Sequence, residues 1–156
     1  MKPMRKDEFI KFVDGNPGEA WTAAPEVANH LDMHIPPAEQ VLGWLRLEDH
    51  IDRDPKVYGV IVVLTERFFL RVSASVNEAR NAAQVDVESV PLGRLRSVKT
   101  RTGAPGAGVV VLDFAGTVLQ GGRGDIDGDQ ILIRVDKGWP SPAVKEFMDA
   151  LASIRK

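Results

Sequence analysis

Two periodicities divide the chain of 156 residues. Before residue 55 the apolar positions recur at helical spacing. Asp7 can cap a short helix through Val13, with Phe9, Ile10 and Val13 clustered on one side, and Gly15-Asn16-Pro17-Gly18 ends it. A second helix is expected over Pro25 to Leu31, with proline in its first turn and Val27 and Leu31 on one face. Pro36-Pro37 interrupts, because the residue before a proline is driven out of the α region. A third helix is then expected from Ala38. Ala38, Val41, Leu42 and Leu45 keep the helical period, and Trp44, Leu47 and Ile51 widen the stripe. Asp52-Arg53-Asp54-Pro55 closes this part.

From Val57 the pattern turns to period two and short apolar runs, the mark of strands. Strands are expected at 57–65, 67–74, 84–90, 94–101, 108–114, 117–120 and 130–136. Ala115-Gly116 fits a two-residue hairpin, Asp127-Gly128 a turn, and Gly103 to Gly108 a loop. After Gly138-Trp139-Pro140 the helical period returns. Ser141 caps, Pro142 takes the first position, and Val144, Phe147, Met148, Leu151 and Ile154 form one apolar face. The expectation is an α+β chain in two parts. Residues 1–55 make an acidic helical segment, and residues 56–156 a seven-stranded antiparallel sandwich or barrel capped by the C-terminal helix.

Three stretches carry a family resemblance. Gly59 to Leu70 reads as an apolar strand, then Leu64-Thr65-Glu66-Arg67, then a second apolar strand. Val90-Pro91-Leu92-Gly93-Arg94-Leu95-Arg96-Ser97-Val98 is a Pro-Leu strand, and Ser141 to Ile154 is the closing helix. Together they resemble the bacterial pleckstrin-homology-like (PH-like, GRAM-like) domains over residues 57–155. The resemblance implies a two-sheet sandwich that binds lipid headgroups, peptides or copies of itself. Phosphoinositide-binding members place Lys and Arg around a long first hairpin loop. Here that junction, Thr65-Glu66-Arg67, is short and half acidic, so no lipid-binding residue is carried over.

Charge sharpens the division. Residues 1–55 hold six Lys/Arg against eleven Asp/Glu, a net of −5, whereas residues 56–156 hold fourteen against eleven, a net of +3. The densest basic stretch is Arg94, Arg96, Lys99 and Arg101, the candidate partner-binding residues. On a regular strand Arg94 and Arg96 share one face and Lys99 and Arg101 the other, unless a bulge intervenes. This patch could meet an acidic partner, an anionic membrane surface or the chain's own acidic segment; alternatively, its charges only protect an edge strand.

The remaining chemistry narrows what is expected. With no cysteine there is no disulfide, thiolate metal site or cysteine nucleophile, which fits a cytoplasmic location, as does the charged start without a signal-like apolar run. Glu26, His30 and His34 have metal-ligand spacing on a helix, but Pro36-Pro37 ends that helix and no His-Glu-x-x-His pattern is present. Asp125 to Asp136 alternates like a calcium loop, yet Gln130 stands where the turn needs glycine. Arg123-Gly124-Asp125 is a chance tripeptide, and neither glycine-rich loop leads into a helix that could cradle phosphate. No nucleophile elbow is present, and the histidines lie far in sequence from Ser73, Ser75 and Ser97. Ala24 to Leu45 faintly follows a helix-turn-helix, but the would-be recognition helix opens Pro36-Pro37-Ala38-Glu39-Gln40, with carboxylate where phosphate contacts want cations. The expected function is therefore a non-enzymatic, cofactor-free and metal-free adaptor that binds a protein partner or itself. The alternatives are a peripheral binder of anionic lipid and a transcriptional regulator.

Overall fold

The computed structural model describes residues 2–15, 23–46, 50–51, 56–77, 82–115, 130–135, 138–139 and 141–154. Its elements run β1 (Met4–Arg5), α1 (Lys6–Gly15), α2 (Ala24–His34), β2 (Gln40–Arg46), β3 (His50–Ile51), β4 (Lys56–Thr65), β5 (Phe68–Asn77) and β6 (Ala82–Pro91). A short 3-10 turn (Leu92–Arg94), β7 (Leu95–Thr102), β8 (Gly108–Phe114), β9 (Gln130–Val135) and α3 (Pro142–Ile154) follow. The strands form two antiparallel sheets. The larger has the order β1-β2-β4-β5-β6 with β3 beside β4, and the smaller the order β7-β8-β9. Among the described residues no strand pairing joins the sheets, so they form a sandwich and not a closed barrel. The expected strand at 117–120, the hairpin glycine Gly116 and the Asp127-Gly128 turn lie outside the described residues.

The larger sheet is buried on both faces, and β4 shows how. Val62 and Leu64 enter one core with Phe69, Leu112, Ile133 and Phe147. Their neighbours Ile61 and Val63 enter a second core with Phe9, Val27, Leu31 and Leu70. The molecule is thus layered: α1 and α2, then the large sheet, then the small sheet, with α3 against β2 and its Val144, Phe147 and Leu151 in the core between the sheets. Phe69 and Phe114 meet across that core with ring centroids 6.2 Å apart. Ser141 caps α3 as expected, its Oγ accepting the Val144 N–H at 3.2 Å.

The segment expected as a third helix is a strand. Residues 41 and 43–46 pair antiparallel with Ile61 to Thr65, with Leu42 bulged out. A strand buried on both faces reads as a run of apolar residues rather than an alternation, and so mimics a short helix. Gly43, in its interior, disfavours the helix. Trp44 packs instead under α1, its ring 5.2 Å from Phe12. The helix-turn-helix goes with it, because no recognition helix follows α2. The same pairing crosses the expected division at residue 55: β2 is part of the sheet that β4 and β5 build.

Candidate binding surface

The expected basic stretch does not form one regular strand. Leu92 to Arg94 turns as a 3-10 segment, so Arg94 lies before β7, exposed, while its carbonyl accepts the Ala115 N–H at 2.6 Å. The register then shifts between Leu95 and Ser97, leaving Arg96 as the extra residue of a bulge. Leu95 and Val98 both pack on the core although three residues apart. Arg96 consequently turns outward, and its Nη2 lies 3.2 Å from Asp113 Oδ1. The bulge therefore puts Arg96 on the same face as Lys99 and Arg101, not on the opposite one.

Cross-strand register defines that outer face. Residues opposite one another in neighbouring strands share a face, and the rows that contain Leu112, Ile131, Val110 and Ile133 point into the core. The alternate rows point out: Ser97–Asp113–Gln130, Lys99–Val111–Leu132 and Arg101–Val109–Arg134. Val111, itself buried, thus lies between Lys99 and the half-buried Leu132 in one row, with Arg101 and Arg134 in the next. Among the described residues no carboxylate lies within ion-pair distance of Lys99, Arg101 or Arg134. Arg134 belongs to this site but did not stand out in the sequence. Two-residue spacing puts it on the face of Leu132, opposite Ile131 and Ile133, but only the β7–β8 and β8–β9 registers place it in one row with Arg101, across Val109.

The acidic helices do not cover this face. They lie on the far side of the larger sheet, and docking of the N-terminal part onto the basic strand is corrected accordingly. The reason is a matter of magnitude. Burying Phe9, Val13, Val27 and Leu31 contributes roughly 1.5–3 kcal/mol each, against roughly 0–1 kcal/mol for an exposed ion pair. The apolar stripe decides where the helices go.

A cavity of about 670 Å³ opens elsewhere, between α1, the end of α2 and the segment leading to β2. Much of its charge is already engaged. Lys6 Nζ donates to the Asp32 carbonyl at 2.8 Å and lies 3.2 Å from Asp32 Oδ1, and Arg5 Nε donates to Glu8 Oε1 at 3.0 Å. Glu39, on its wall, is 5% exposed and accepts from the Arg67 backbone N–H and the Arg67 Nε–H, each at 3.2 Å, and from the Thr65 hydroxyl at 3.4 Å. That carboxylate clasps the β4–β5 turn.

The other sequence candidates stay apart. His30 Nδ1 lies 2.8 Å from the Glu26 carbonyl within α2, and among the described residues no group of three His, Asp or Glu side chains is placed to hold a metal. Ser73 and Ser75 sit in the register rows of β5 that face away from α2, so the α2 histidines and these hydroxyls do not meet. The Asp125 to Asp129 run and Arg123-Gly124-Asp125 lie outside the described residues. No described helix is long and apolar enough to cross a membrane.

No family model matches the sequence, and no curated protein matches it. Among solved structures, the chain aligns with the hSac2 domain from human phosphoinositide phosphatase Sac2 at 13% sequence identity. The alignment covers 86% of this chain and 81% of that one, with a TM-score of 0.44.

Proposed function

We propose that this chain is a non-enzymatic binding module, a PH-like two-sheet sandwich that recognises an acidic protein partner through the outer face of its smaller sheet. One observation carries the reading: three cations without an ion-pair partner among the described residues, Lys99, Arg101 and Arg134, share the outer face of the smaller sheet with the half-buried Leu132. Such a face attracts carboxylates over a distance and holds them beside low-dielectric surface, where each contact strengthens. Two successive antiparallel sheets with a C-terminal helix packed against the core between them support the PH-like assignment. The same cations beside the half-buried Leu132 also fit an anionic lipid surface, which is the second reading.

The test is a titration of the full chain against fluorescent polyglutamate and, separately, against vesicles with and without phosphatidylserine. Saturable polyglutamate binding is expected, weakened about tenfold or more by Arg101→Glu together with Arg134→Glu. Equal binding by the wild-type chain and this variant would overturn the reading. Binding to phosphatidylserine vesicles but not to polyglutamate would replace it with the membrane reading.

A further inference from the structure

Resting on that reading, we infer that the outer edge of β7 takes up an extended acidic segment of a partner protein as a fourth strand of the smaller sheet. Among the described residues β7 pairs with β8 alone, and its other edge has no strand partner. Four consecutive residues of β7, Lys99 to Thr102, are exposed. An edge of this kind presents backbone N–H and C=O groups that an added strand satisfies.

The side chains specify which strand. Lys99 and Arg101 stand two residues apart on the outer face, about 6.7 Å along the strand. An incoming segment with carboxylates at every second residue matches that spacing, and directly opposite side chains in paired strands lie about 4.5–5.5 Å apart at Cβ, within ion-pair reach. Its alternate residues fall beside Val98, Thr100 and Thr102, where small or β-branched side chains fit. The other sheet edges differ. β6, one edge of the larger sheet, carries Asp86 and Glu88 and no Lys or Arg, so it repels such a segment. β1, at the other edge, is two residues long and its Arg5 is engaged by Asp7 and Glu8, and β9 offers Arg134 alone. The charge pattern therefore selects β7.

The probe is a fluorescent, end-blocked peptide of alternating Glu and Val, titrated into the full chain alongside two isomers N-methylated at every Glu or at every Val. Each isomer loses the N–H groups along one edge while keeping all its charges. One isomer is expected to bind about tenfold or more weakly than the parent and the other nearly as well, because a strand pairs through one edge only. Parent binding is also expected to fall with Arg101→Glu. If both isomers bind like the parent, strand addition is overturned while the charge-based reading stands. If the parent does not bind and polyglutamate does, strand addition is again overturned; if neither binds, the underlying reading falls too. Binding of the chain to phosphatidylserine vesicles that excludes the peptide, or a doubled mass by sedimentation that the peptide does not reverse, would assign the edge to a membrane or to a second copy and overturn the proposal.

Discussion

Glu39 shows how much a single side chain contributes here. Its buried carboxylate satisfies the Arg67 backbone N–H, the Arg67 side chain and the Thr65 hydroxyl, while neighbouring Gln40 donates its backbone N–H to Glu66 at 2.9 Å. These bonds tie the approach to β2 onto the β4–β5 turn. Removing the acceptor leaves the part-buried Arg67 backbone N–H without its partner, which costs about 1–3 kcal/mol in stability for Glu39→Ala. Glu39→Gln is expected to lose clearly less, because its amide oxygen still accepts. Urea unfolding of both variants checks this, and equal losses would show that the carboxylate is not the clasp. Gly108 is a second such position. A Cβ there would overlap the ring of Trp139, and the Trp139 backbone N–H donates to the Gly106 carbonyl at 2.9 Å. The glycine-rich loop is thus shaped to admit a tryptophan, a role invisible in a pattern that reads only as a flexible connector.

Among elements, legibility followed burial. α3 was readable because its signals are local: a serine cap, a proline in the first turn and one apolar stripe. β5 and β6 were readable within a few residues, since each alternates or runs apolar between turn residues. β2 was not, because both its faces are covered and its sequence satisfies a helical period equally well. Bulges at Leu42 and Arg96 were likewise hidden, as each exists only relative to a partner strand. The contribution of α3 can be measured directly. Phe147 is fully buried between the sheets, and Phe147→Ala is expected to cost about 3–5 kcal/mol in a denaturant titration, through lost transfer energy and an unfilled cavity. A loss below about 1 kcal/mol would show that α3 caps the core only loosely.

For the whole molecule, the two polarities seen along the chain become two sides of a layered body. The acidic helices and the basic sheet face are separated by the larger sheet and both cores, so they do not neutralise each other. A charge-steered partner should then respond to ionic strength while the fold does not. Between about 0.01 M and about 1 M salt the screening length falls from about 30 Å to about 3 Å. Polyglutamate binding is expected to disappear over that range while the far-ultraviolet circular dichroism spectrum holds. Binding that persists undiminished in high salt would mean that apolar contact at Leu132, not the cations, holds the ligand.

Local pattern was enough for the described strands after Val57, the two N-terminal helices, the capped C-terminal helix and the opposed charges of the two halves. Each follows from forces acting within a turn or two of chain. The placement of β2 in the large sheet, the outward bulge of Arg96 and the alignment of Arg134 with Arg101 in one cross-strand row depended on pairings between distant segments. Register across strands is chosen by which rows of side chains bury together, and that choice exists only once the layers have packed.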